Sequence, residues 1–222
     1  VTEIEGEDDM EGGNPVTTKD KILNASEQLF ANNGYHNTSL RAITREAGVN
    51  LAAVNYHFGS KQALLEEVIS RHLDPLNRVR REKLLGIREK ARGDGAPPST
   101  GEVLRAFIVP MLHYRETDPG ADAFIALVGR IISDPDEGVR EIFMDHIRPI
   151  FFLCFEVLCE SLPHISKEIL FWRLQFAIGA MSRALYMGGQ FVKYPDGIDA
   201  KYDAEAMAEL IFPFVTAGMV AQ

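Results

Sequence analysis

Glycine-bearing chain breaks at Asn32-Asn33-Gly34, Gly48 and Phe58-Gly59-Ser60 fall so close together that only short helices fit between them. Ahead of the first break, apolar residues recur at helical spacing: Ile22, Leu23, Ala25, Leu29 and Phe30. Between the first and second, Leu40, Ile43 and Ala47 do the same, with Thr38 or Ser39 placed to cap their helix. Val49 is the apolar residue of the next turn, and Asn50 is placed to cap a helix from Leu51 to His57. Ser60 then caps a fourth, from Lys61 through at least His72. Helices this short cannot each bury a face alone. The spacing therefore predicts a compact trihelical unit with Val49, Val54 and Phe58 in its core.

Helical periodicity continues to the end, giving expected helices at 101–114, 121–133, 138–161, 166–187 and 203–218. The punctuation between them is Asp118-Pro119-Gly120, Asp134-Pro135, Leu162-Pro163 and Tyr194-Pro195-Asp196-Gly197. Asp74-Pro75 marks a kink or a break, residues 93–100 a loop, and Pro110, Pro149 and Pro213 should kink the helices that contain them. No segment alternates at period two, and no internal repeat is present. The expected class is all-α.

The formal net charge of −9 is a poor match to a polyanionic partner until it is divided along the chain. Residues 1–17 hold six acids and no base, whereas residues 18–72 hold six bases against five acids. The acidic excess lies in an N-terminal tail expected to be disordered and in the C-terminal half. The basic stretch Arg71 to Arg92, with eight bases against three acids, reads as a solvated face rather than an anion site. Cys154 and Cys159 belong to no CxxC or Cys/His cluster and read as free thiols of a reducing cytosol. The N-terminus lacks the basic-then-apolar pattern of a signal peptide, and no apolar run is long enough to span a bilayer, so a cytoplasmic protein is expected.

The helix, tight turn and short helix within residues 38–61 have the spacing of a helix-turn-helix, whose second helix enters the major groove of double-stranded DNA. Small Ala52 and Ala53 permit close approach to the bases, and Asn55 is able to hydrogen-bond a base edge or a phosphate. Tyr56, His57 and Lys61 suit phosphate contacts, as do the hydroxyls of Thr38 and Ser39 beside a helix N-terminus. Each has a plainer alternative: Tyr56 in particular is equally able to pack its ring on the core.

The same stretch resembles the TetR family of repressors. The similarity runs from Lys21-Ile22-Leu23-Asn24-Ala25 and Leu29-Phe30-Ala31-x-x-Gly34-Tyr35 through Thr38-Ser39-Leu40-Arg41-x-Ile43 and Ala47-Gly48-Val49. It ends with Tyr56-His57-Phe58-x-Ser60-Lys61-x-x-Leu64-Leu65. The resemblance implies a homodimer on a palindromic operator, with a divergent C-terminal domain that holds a small-molecule inducer and pairs through its last two helices. It divides the chain into an acidic tail (1–17), a helix-turn-helix domain (18–64) and a helical ligand-binding and dimerisation domain (65–222). Leu51, Ala52 and Ala53 stand where similar proteins often carry basic or hydroxyl side chains, which leaves base reading to Asn55 and Arg41.

Candidates for the inducer site are groups that put aromatic or polar character on apolar helices: Phe107, Met111, His113, Phe124, Arg130, Phe143, His146, Phe151, Trp172 and Gln175. Any of these aromatics also suits the core. Gly179, Ala180, Ser182 and Ala184 are the candidate dimer surface, because small residues permit close helix approach. The histidines have no ligand spacing, and no cofactor or metal is expected. No phosphate loop, GxSxG or HExxH occurs, which argues against an enzyme. An adaptor for a protein partner and an activator rather than a repressor remain the alternatives.

Overall fold

The computed structural model describes residues 16–187, 196 and 202–221. Among them are nine helices and no strand. They are α1 (Thr18–Asn33), α2 (Leu40–Ala47), α3 (Leu51–Phe58), α4 (Lys61–Asp94), α5 (Thr100–Thr117), α6 (Ala121–Ile132), α7 (Glu137–Ser161), α8 (Lys167–Met187) and α9 (Ala204–Val220). Local chemistry starts most of them. Ser39, Asn50 and Ser60 each accept a hydrogen bond from a backbone N–H of the first turn of α2, α3 and α4. Thr17, assigned by the sequence to the tail, is instead the N-cap of α1 and forms a capping box with Asp20. The rest of the expected disordered tail, residues 1–15, lies outside the described residues.

Gly48 closes α2 in the left-handed region (φ 65°, ψ 33°), where its N–H reaches back to the carbonyls of Thr44 and Arg45. A Cβ built there meets nothing within 4 Å, so a side chain would be opposed by backbone conformation alone. Gly48→Val should cost about 1–2 kcal/mol. Equilibrium urea unfolding at fixed protein concentration measures it.

Of the kink or break expected at Asp74-Pro75, the break does not occur: α4 runs unbroken through it. Pro75 removes one helical hydrogen bond and crowds the preceding turn, at a cost of about 3 kcal/mol. Against this, α4 buries Leu64, Leu65, Val68, Ile69, Leu73, Leu76 and Leu84 along one face. At roughly 1.5–3 kcal/mol for each side chain, that burial outweighs the lost bond several times over.

Pro75 lies near the meeting of two apolar cores. The first joins α1–α4 through Ile22, Phe30, Ile43, Val54, Leu65 and Ile69, and it is completed by Phe124, Leu127 and Ile131 of α6 with Val139 and Phe143 of α7. The second fills the body between Leu84 of α4 and α5, α7, α8 and α9. The helix-turn-helix unit therefore does not own a separate interior. Val54 is fully buried in it, while Val49 and Phe58 pack at its edge.

Candidate nucleic-acid interface

α3 has one buried side chain, Val54, and its fixed phase turns the neighbouring positions outward. Asn55, Tyr56 and His57 are all exposed, Tyr56 by 86% of its area, which excludes the core-packing alternative for its ring. The Tyr56 and His57 rings meet edge to face with centroids 5.1 Å apart. Leu51 and Ala52 are exposed at the start of the helix, Ala53 is half-buried, and Arg41 is exposed on α2. These residues give one outward surface with few hydrogen-bonding groups and three methyl-bearing positions, Leu51, Ala52 and Ala53.

The two hydroxyls that the sequence could not separate have different fates. Ser39 Oγ accepts from the Ala42 N–H at 3.1 Å but stays exposed, so its own proton remains free for an acceptor. Thr38 is 1% exposed, and its hydroxyl donates to the carbonyls of Gly34 and Leu29 at 2.8 and 3.1 Å. It ties the α1–α2 turn together and is not available to a phosphate. Lys61 is half-buried with its ammonium 4.2 Å over the Tyr35 ring, and this burial lowers its pKa.

Three polar clamps fasten α1 and the turn after it to the body. Arg130, on α6, donates to the carbonyls of Ala31 and Asn32 at 2.6 and 2.9 Å, capping the C-terminus of α1. The His36 imidazole lies 3.3 and 3.6 Å from carboxylates of Asp134 and Asp136. The third is buried. Glu27 of α1 accepts from Arg71 and from His72 Nε2, the latter at 2.9 Å, and the Tyr114 hydroxyl lies 2.6 Å from His72 Nδ1. With Nε2 donating to the carboxylate, Nδ1 is left to accept the Tyr114 proton. Burial and the nearby Asp118 and Glu27 charges push the Tyr114 pKa up, keeping its hydroxyl protonated. Sequence reasoning missed this cluster. Its signal was Glu27 standing four after Leu23 and three before Phe30, a carboxylate on the buried stripe.

The inducer-site candidates do not converge. Phe107 and Phe151 belong to the body core, and Phe124 and Phe143 to the core shared with α1–α4. Met111 touches both. His113 lines a groove of about 470 Å³ between α4 and α5, together with Pro75, Val79 and Tyr114. His146 is tied to α4 through Ser70 and Asp74. Arg130 is a helix cap, as above. Trp172 and Gln175 point outward: the buried stripe of α8 is Leu170, Leu174, Ala177, Met181 and Leu185, and residue 172 is half a turn out of phase with it.

That outward face of α8 repeats Ile169, Trp172, Phe176, Gly179, Arg183 and Tyr186 at alternating three- and four-residue steps, all exposed. Ser182 is exposed beside it, and Ala180 and Ala184 are half-buried. α9 adds exposed Leu210 and Phe214. Arg173 joins the two helices by donating to the Met219 carbonyl at 2.9 Å. Cys154 and Cys159 are free thiols, the first buried. No helix among the described residues is long and apolar enough to cross a membrane.

Residues 22–68 match a family described as "Bacterial regulatory proteins, tetR family", and residues 105–218 match "Tetracyclin repressor-like, C-terminal domain". The chain is 29% identical over 164 residues to the probable HTH-type transcriptional regulator YttP of Bacillus subtilis, covering 69% of this chain and 74% of that protein. Its fold is similar to that of the fatty acid degradation regulator FadR from Bacillus halodurans, with a TM-score of 0.66 at 15% identity over 96% of this chain and 100% of that one. It is also similar to Bacillus subtilis FadR, crystallised in complex with stearoyl-CoA, with a TM-score of 0.65 at 17% identity over 89% and 97% of the two chains.

Proposed function

Because the chain belongs to the TetR family of bacterial transcriptional regulators, we propose that it is a repressor that grips a palindromic operator as a homodimer and releases it when a small molecule binds the α4–α9 body. The outward row Asn55, Tyr56 and His57 on α3 carries this reading, since a purely structural helix-turn-helix has no reason to leave three such groups together in solvent. Arg41, Ser39 and Lys61 flank that row. Leu51, Ala52 and Ala53 favour thymine-methyl contacts and sensitivity to DNA shape over a dense hydrogen-bond code.

Pairing through the exposed stripes of α8 and α9 supplies the second reading head, so that two copies of α3 reach successive major grooves about 34–36 Å apart. Ligand selects a conformer in which that spacing or tilt is wrong. Coupling of about 1–3 kcal/mol suffices, and it is reciprocal: operator must weaken ligand binding by the same factor. The stearoyl-CoA complex of Bacillus subtilis FadR supports a body of this fold as a holder of small-molecule ligands.

Duplexes selected from a random pool test the reading by gel shift at two salt concentrations. Tyr56→Ala and Lys61→Ala should weaken every duplex alike, with Lys61→Ala flattening the logarithmic salt slope by about 1. Asn55→Ala should erase about 1–3 kcal/mol of preference between sites. The sparse base-reading groups at the start of α3 favour a second reading, an adaptor for a protein partner. Binding that selects no duplex and does not weaken with salt would establish it instead.

A further inference from the structure

Arg80 departs from the solvated face to which its basic stretch was assigned. It follows Leu73 and Leu76 and precedes Leu84 on the buried stripe of α4, and it is only 2% exposed. Its Nε donates to the Phe107 carbonyl at 2.8 Å, its Nη1 to Asn77 Oδ1 at 3.3 Å, and its guanidinium carbon lies 4.6 Å from the centre of the Phe107 ring. Burial pulls its pKa down to about 10, which leaves it a cation at neutral pH. The adjacent Cys154 thiol, pushed up to about 12 by its own burial, supplies no negative charge.

Several other arginines among the described residues show the ordinary arrangement, and Arg130, Arg140 and Arg173, which donate to backbone carbonyls alone, are not buried. Arg71 has Glu27, and Arg88 has Glu156 and Glu160. For Arg80 the described residues supply a carbonyl, an amide and an aromatic face, and no carboxylate at ion-pair distance. An interior cation without a counter-ion is costly, and folded proteins almost always pair it. The two named bonds leave N–H groups of the Nη1 and Nη2 pair uncommitted, and this is the edge on which a carboxylate is held by two parallel bonds.

We propose that Arg80 is the counter-charge for the carboxylate of an amphiphilic ligand held where α4, α5 and α7 meet, the ligand to which the regulator responds; this rests on the ligand-responsive reading above. The surroundings decide the rest of the ligand. Leu84, Leu104, Ile150, Leu153 and Val157 belong to the same core, so a small hydrated anion would lose its water there and gain only one pair. A carboxylate on an apolar body recovers that loss by burying its chain. Asn77 separates Arg80 from a groove of about 380 Å³ between α4 and α7, whose lining includes Pro149 and Ile150 but also the charged Asp74, Arg78, Arg81 and Asp145. The competing role is structural, with Arg80 serving only as a cap on the Phe107 carbonyl one turn before Pro110.

Calorimetric titration of the full-length protein with the straight-chain alkanoates from hexanoate to hexadecanoate, each against its primary alcohol, separates the two. At least one alkanoate should bind about 10- to 100-fold tighter than its alcohol. In Arg80→Met the difference should collapse to about 3-fold or less, Arg80→Lys should retain part of it, and ligand-free Arg80→Met should melt at or above the wild-type temperature. A wild-type protein that binds no alkanoate better than its alcohol overturns the proposal, as does selectivity that survives in Arg80→Met. Should Arg80→Met fail to fold, the wild-type preference and its reduction in Arg80→Lys decide the matter. Operator gel shifts without alkanoate on the same preparations keep this outcome distinct. Lost DNA binding with intact selectivity sinks the repressor reading and leaves the site, and the converse result does the opposite.

Discussion

Phe214→Glu should leave the protein monomeric and weaken operator binding by about 10²- to 10⁴-fold. Phe214 is 71% exposed on α9, beside exposed Leu210 and across from the α8 stripe of Ile169, Trp172 and Phe176. Exposed aromatic residues repeating along one face of adjoining helices are of the kind that soluble proteins cover. Burying each such side chain contributes about 1.5–3 kcal/mol, and a two-fold axis makes every substitution count twice. A carboxylate at the centre forfeits the Phe214 term and adds a desolvation cost. The operator effect follows from tethering: a monomer presents one copy of α3, and the second contact is no longer made at high effective concentration. Sedimentation gives the mass and gel shift the affinity. A variant that stays dimeric with undiminished affinity would place the pairing surface elsewhere.

The second large effect is expected at the buried clamp. His72→Leu removes the N–H that Glu27 accepts and the acceptor of the Tyr114 hydroxyl, while Glu27 stays almost fully buried with Arg71 as its remaining partner. Each buried group left without its partner in this way costs about 1–3 kcal/mol. Glu27→Leu combined with His72→Leu should recover much of that loss, because an apolar pair of similar volume needs no hydrogen bonds. The Phe124 ring, 4.4 Å from the His72 ring, supplies an apolar neighbour for the replacement. Urea midpoints at equal protomer concentration provide the comparison. A double variant no more stable than His72→Leu would mean that the ion pair contributes net stability.

Helix starts were legible in the sequence because the chemistry that sets them is local: Ser39, Asn50 and Ser60 each cap a helix within three residues of themselves. The outward row on α3 was legible for a similar reason, since one buried Val54 fixes the phase of its neighbours. What escaped depends on partners distant in the chain. Pro75 reads as a breaker until the buried face of α4 is weighed against it. Thr38 and Ser39 are interchangeable on paper, and only the carbonyls of Leu29 and Gly34 draw the first inward. Trp172 looked like a pocket aromatic because composition carries no direction, whereas the phase of Leu170 and Leu174 turns it out. Arg80 was read as part of a solvated face and Glu27 was only counted, although their spacing from neighbouring apolar residues already set them on buried stripes.

Phe124, Leu127 and Ile131 finish the interior of the first four helices from a position about a hundred residues further along the chain. The helix-turn-helix unit and the helical body are accordingly not interchangeable modules. A chimera that grafts α1–α4 onto a foreign body inherits a hollow unless the donor's α6 and the start of α7 travel with it.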